Sequence, residues 1–204
     1  IVRTGPAITD FKFAAYHWRG DEAVRVQNGV LDANGTGHDI PAESLCSSCH
    51  RKDWRVLGFS AIQLSHAGSA TTIDSLGAEG LLSVPLPGGA TVPGNATEQA
   101  ALGYLHSNCA SCHYSGGIPS ISMHMKLKVG DTTVTGTDTY TTTVNVQTTQ
   151  FQCNGCDRIE PGDSAASAVF QRMSIRGVQQ MPPFATEIVD NSGLAAVQAW
   201  IDSL

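Results

Sequence analysis

The feature that most constrains this chain is a pentapeptide that occurs twice, as CSSCH at Cys46–His50 and as CASCH at Cys109–His113. Each copy offers two thiols three residues apart and an imidazole immediately after the second. That order is what covalent haem attachment requires: the thiols form thioethers to the vinyl groups and the adjacent histidine reaches the iron. The competing use of C-x-x-C pairs is a four-cysteine zinc site. It spaces its pairs roughly 15–20 residues apart and has no use for either histidine. Here the pairs lie several times farther apart, and both are followed by His. The reading is therefore two covalently bound haem c groups, held by Cys46, Cys49 and His50 and by Cys109, Cys112 and His113.

The remaining cysteines, Cys153 and Cys156, form a third C-x-x-C pair without the histidine. In an oxidising compartment a local disulfide is the simplest use of such a pair, a catalytic dithiol being the alternative. The first residues, IVRTGPAITD, have neither the basic nor the apolar region of a signal peptide. No apolar run approaches the ~18 residues of a transmembrane helix. The net charge of −6 argues against nucleic acid or anionic lipid as the main partner. With 41% hydrophobic and 15% charged residues, the composition is that of a compact chain and not of a disordered one.

The fold expected is mainly α with β insertions, in two haem domains. Residues 11–27 predict an N-terminal β-hairpin about an Arg19-Gly20-Asp21 turn. A Gly/Asn/Asp loop follows, then a short helix from Ala42, with Pro41 near its first turn, ending in the first haem motif. Residues 60–66 and 73–82 predict two further short helices. The Pro/Gly-rich segment at 83–95 sets the boundary between an N-terminal domain over 1–92 and a second over 93–204. In the latter, Thr97-Glu98-Gln99 opens a helix that runs into CASCH. Residues 121–146 predict a β insertion, from the alternation Ile121, Met123, Met125, Leu127, Val129 and from the Thr-rich run behind it. Residues 164–173 return to helix. A terminal helix carries the apolar stripe Leu194, Val197, Trp200, Ile201, Leu204.

Helix, C-x-x-C-H, a downstream methionine before prolines and a closing helix form an order that resembles class I cytochromes c. Gln180-Met181-Pro182-Pro183 is similar to the methionine-ligand loop of that class, which makes Met181 the expected distal ligand of the second haem. A thioether suits haem iron, and His/Met ligation raises the reduction potential. The alternative for Met181 is an ordinary core methionine. More broadly, residues from about Ile40 to Leu204 resemble a group of bacterial dihaem c-type cytochromes, through IPAESLCSSCH, VLGFSAIQLSH, YLHSNCASCH, RIEPGDSAASAVFQRM, QMPPFATEIVD and AWIDSL. The resemblance implies electron transfer and a cell-envelope address, in the periplasm or at the outer cell surface.

The first haem has His50 as its proximal ligand and no methionine in residues 1–122 to face it. The candidates are His66, His38 and His106, in that order. His17, in the hairpin, and His124, among lysines, complete the set. For each the alternative is a solvated or hydrogen-bonded histidine. A second cofactor is also spelled out. Asp32, Asn34, Thr36, Gly37 and Glu43 match the spacing of a calcium loop, with Thr at its third ligand and Pro41 inside it. The competing reading is a Gly/Asn turn between strand and helix.

The function expected is single-electron transfer between other redox proteins, without catalysis. Two alternatives stay open. One is a dihaem peroxidase-like enzyme with an open first haem; the other is a protomer of a homo-oligomeric filament or envelope conduit, whose strands would supply assembling edges.

Overall fold

The computed structural model describes the chain apart from residues 8, 51–56, 67–70, 87–88, 118–121, 152 and 154–155. The described residues fall into two compact units, neither continuous in sequence. One comprises residues 1–58 and 172–190; the other comprises 59–171 and 191–204. The boundary expected at 92/93 therefore does not coincide with either unit's edge. The Pro/Gly-rich segment that suggested it belongs wholly to the second unit, and its residues 87 and 88 lie outside the described residues.

In the first unit, β1 (Val2–Arg3) pairs with β2 (Phe11–Lys12), and β3 (Tyr16–Arg19) pairs with β4 (Glu22–Arg25), both antiparallel. The second pair is the hairpin expected from the sequence. Arg19 faces Glu22 across a two-residue turn, and Gly20 takes φ 62°, the left-handed conformation such turns require. Strand alternation turns His17 inward, where it is 8% exposed, between Tyr16 and Trp18, which are 53% and 62% exposed. The hairpin is fastened to the chain that follows it. Arg25 donates to both carboxylate oxygens of Glu43, at 2.8 and 2.7 Å, and the Ala15 amide donates to Oε1 of the same residue at 3.1 Å. Val30 and Ile40 bridge across the intervening loop, and a 3-10 turn over Glu43–Leu45 leads into α1 (Cys46–Cys49).

The second unit holds α2 (Ala61–Leu64), α3 (Ile73–Ala78), α4 (Ala96–Cys109), α5 (Asp138–Thr143) and α7 (Asn191–Asp202); α6 (Ala168–Ser174) begins in it. Asn95 caps α4. Its Oδ1 accepts from the Thr97 and Glu98 amides while Glu98 returns a carboxylate to the Asn95 amide. The helix thus starts one residue before the expected Thr97. Its inner face, Ala101, Leu102 and Leu105, is fully buried, as are Val197, Trp200 and Ile201 of α7. Gly193 lets the two helices close: a Cβ there would run into the Tyr104 ring. Leu204, last in the apolar stripe, is 37% exposed and lies beyond the contact.

The β insertion expected over 121–146 is not formed. Ile121 lies outside the described residues; Ser122–Val129 run without strand pairing, and α5 occupies the Thr-rich run. The threonines themselves supply the reason. Thr137 caps the helix by accepting from the Tyr140 amide at 3.1 Å. Thr141, Thr142 and Thr143 each donate a hydroxyl to the carbonyl four residues back, at 3.0, 2.7 and 2.6 Å. The last of these bonds satisfies the hydroxyl of the fully buried Thr143, while Thr139, equally buried, leaves its hydroxyl without a partner, so tertiary burial overrides β propensity here.

Candidate functional site

Both motifs are single helical turns. In the first, the His50 amide donates to the Cys46 carbonyl at 3.0 Å; in the second, the His113 amide donates to the Cys109 carbonyl at 2.8 Å. That closure brings both thiols and the imidazole of each motif onto one short piece of backbone, as a macrocycle bound at three points requires. None of the four motif cysteines is in a disulfide, whereas Cys153 and Cys156 form one. Among the described residues no group of three or more His, Cys, Asp or Glu gathers as a metal cage.

The second motif is the more deeply set. Burial first, and then the neighbouring Cys112, push the Cys109 thiol up to about 12. A thiol so disfavoured as thiolate is a poor dithiol reagent, while a thioether is neutral and tolerates the same surroundings. Gly117 is obligatory here because a Cβ would meet the Cys112 carbonyl oxygen. The extended chain beyond returns past the motif: the Met125 amide donates to the His113 carbonyl at 2.7 Å, with Met125 only 1% exposed.

That same segment explains His106. The Leu127 amide donates to His106 Nδ1 at 3.0 Å, so this nitrogen carries the lone pair, and Nε2–H donates to Ser60 Oγ at 2.8 Å. Both ring nitrogens are thus committed, and burial, with Lys126 second, holds the imidazole below its ordinary range. His106 is a neutral brace between α4, α2's cap and the 122–128 segment. In this arrangement His106, a candidate distal ligand of the first haem, offers no unengaged lone pair.

The other candidates separate by unit. His38 lies in the first unit and is exposed; His66 lies in the second and is also exposed. The calcium set is not assembled. Glu43 is engaged by Arg25. Asn34 Oδ1 accepts from His17 Nε2 and Asn34 Nδ2 donates to the Trp18 carbonyl, Thr36 donates to the Ala33 carbonyl, and Asp32 accepts from the Gly37 amide. These bonds close a Gly/Asn turn, with Asp32 and Asn34 at positive φ.

Met181 belongs to the first unit, with Cys46–His50, whereas His113 belongs to the second. Its loop is heavily cross-braced. The Met181 amide donates to the Arg172 carbonyl at 2.9 Å, and Arg172 Nε donates to the Gln179 carbonyl at 2.8 Å. Arg176 reaches the carbonyls of Met173 and Ile188, at 3.0 and 2.9 Å, tying the two ends of the loop. Gln180 and Thr186 close on one another and on the Pro182 carbonyl. Such bracing holds the loop in advance and lowers the entropy cost of any ligation from it. The loop also meets the chain leading into the first motif. Glu187 accepts from the Asp39 amide, and a cavity of 330 Å³ is lined by Ile40, Pro41 and Leu45 on one side and Pro183 and Phe184 on the other.

The residues of the first unit fit a covalently held macrocycle. Among its described residues Met173 is the sole buried apolar side chain. A small unit with so little apolar burial needs a staple, a metal or a prosthetic group. Comparison with known families, characterised proteins and solved structures gives no match, so the assignment rests on the chain's own chemistry.

Proposed function

We propose that this chain is an exported dihaem c-type cytochrome that passes single electrons between redox partners and performs no catalysis of its own. The observation that carries the reading is the pair of C-x-x-C-H motifs, each closed as a helical turn and neither bridged, beside a third C-x-x-C pair that is bridged. Cys46 and Cys49 would anchor one haem and His50 ligate its iron; Cys109, Cys112 and His113 would hold the other. Haem supplies the reversible one-electron couple. The protein's part is to set the potential through axial ligands, burial and nearby charge.

Met181 is the proposed thioether ligand of the second haem, supported by the bracing of its loop. The bridged Cys153–Cys156 pair supports an oxidising address such as a bacterial periplasm or outer surface. No helix among the described residues is long and apolar enough to cross a membrane. Spectroelectrochemical titration of the holoprotein tests the function. Two reversible one-electron transitions are expected, with no turnover of peroxide. Peroxide turnover through a five-coordinate haem would instead establish the enzymatic alternative.

A further inference from the structure

No methionine in residues 1–122 is there to face His50, and the first unit holds one histidine whose placement is otherwise unexplained. His17 is 8% exposed on a hairpin whose neighbouring side chains, Tyr16 and Trp18, face solvent. Its hydrogen bonds define its chemistry. Asn34 Nδ2 donates to the Trp18 carbonyl at 3.2 Å, which fixes the orientation of the amide because a carbonyl can only accept. Asn34 Oδ1 therefore faces His17 Nε2, at 2.9 Å, and that nitrogen must carry the hydrogen. The lone pair of the neutral ring is then on Nδ1, which is buried and has no hydrogen-bond partner. A buried lone pair without a donor is costly in a purely structural histidine, and the tautomer is the one a metal ligand adopts when a hydrogen-bond acceptor holds its other nitrogen. The same N-terminal segment already reaches the first motif: Phe13, four residues earlier, packs on the His50 ring with centroids 5.1 Å apart.

We propose that His17 is the axial partner of His50, ligating the first haem iron through Nδ1, with Asn34 as the acceptor that sets its tautomer. The assignment rests on the haem reading of Cys46–His50. It replaces His66, His38 and His106 with a residue in the same unit as the motif, buried, and with its free lone pair defined. The first haem is then bis-histidine and six-coordinate, so the carrier reading needs no open site.

The test is EPR with near-infrared magnetic circular dichroism on the holoprotein, with covalent haem counted separately. Wild type is expected to show one bis-His and one His/Met haem. His17→Ala converts the bis-His signal to high-spin, and added imidazole restores the low-spin form. His17→Met, which keeps a ligating side chain if alanine unsettles the hairpin, replaces the bis-His signature with a second His/Met one. A bis-His signal that persists in His17→Ala with two haems per chain overturns the assignment alone. So does a wild-type first haem that is five-coordinate. A chain that takes up no covalent haem overturns both this assignment and the reading beneath it.

Discussion

Replacing His106 by phenylalanine keeps an aromatic ring, somewhat larger than imidazole, and removes both polar atoms. The structure specifies what is lost. The Leu127 amide, on a residue 3% exposed, loses its acceptor, at about 1–3 kcal/mol for an unsatisfied buried donor. The bond to Ser60 Oγ adds about 1 kcal/mol, moderated because that oxygen still accepts from the Gln63 amide. The expected destabilisation at neutral pH is therefore about 2–4 kcal/mol.

The pH dependence adds a second test. Burial lowers the folded-state pKa of His106 below its ordinary 6.5, so between the two values the unfolded chain binds the extra proton. Wild type then loses stability as pH falls from 6.5 towards the folded value, by at most about 1.4 kcal/mol per pH unit; the variant has no such group to lose it through. The gap between wild type and variant is widest above pH 6.5 and narrows below it. Urea unfolding of the holoprotein, followed by far-ultraviolet circular dichroism across that range, measures both quantities. A gap under about 0.5 kcal/mol, or one that widens as the solution is acidified, would refute the brace and its tautomer.

Gly193→Ala gains up to about 1 kcal/mol in helix propensity but drives a methyl into the Tyr104 ring, so a net loss of about 1–2 kcal/mol is expected in thermal unfolding. Met181→Ala removes the proposed thioether, so its long-wavelength absorption disappears and the potential of that haem falls; an unchanged potential would return Met181 to simple packing. Cys153→Ser opens a loop of only a few residues. The expected cost is about 2 kcal/mol with covalent haem content unchanged, checked by chemical unfolding and haem absorbance.

Much of the local structure was legible because it depends on neighbouring residues. The Gly20 hairpin, the helix running into CASCH and the terminal helix with its apolar stripe all follow from periodicity and turn chemistry, and all are formed. The Thr-rich run was not, because side-chain bonds to carbonyls four residues back exist only once the run is helical, and it is burial against distant residues that selects the helix. The join of 172–190 with the N-terminal 58 residues is a long-range association with no local signal.

For the site, the motif residues could be read by spacing alone. His106 misled because a histidine one turn before Cys109 resembles a ligand. The signal against it was its place on the buried face with Leu102 and Leu105, where a polar ring needs protein partners. His17 had a signal too. Period two sets it on the opposite face from Tyr16 and Trp18, but only the Asn34 contact reveals which nitrogen is left with the lone pair.

The central claim is that the two C-x-x-C-H turns hold covalent haem, and denaturing mass spectrometry of the chain produced in cells that mature c-type cytochromes tests it most directly. The predicted result is a mass two haems above that of the polypeptide, retained through acid and denaturant and mapping to the peptides that contain Cys46–His50 and Cys109–His113. A chain at its bare polypeptide mass, or one whose only added mass is a metal that acid strips away, would contradict it.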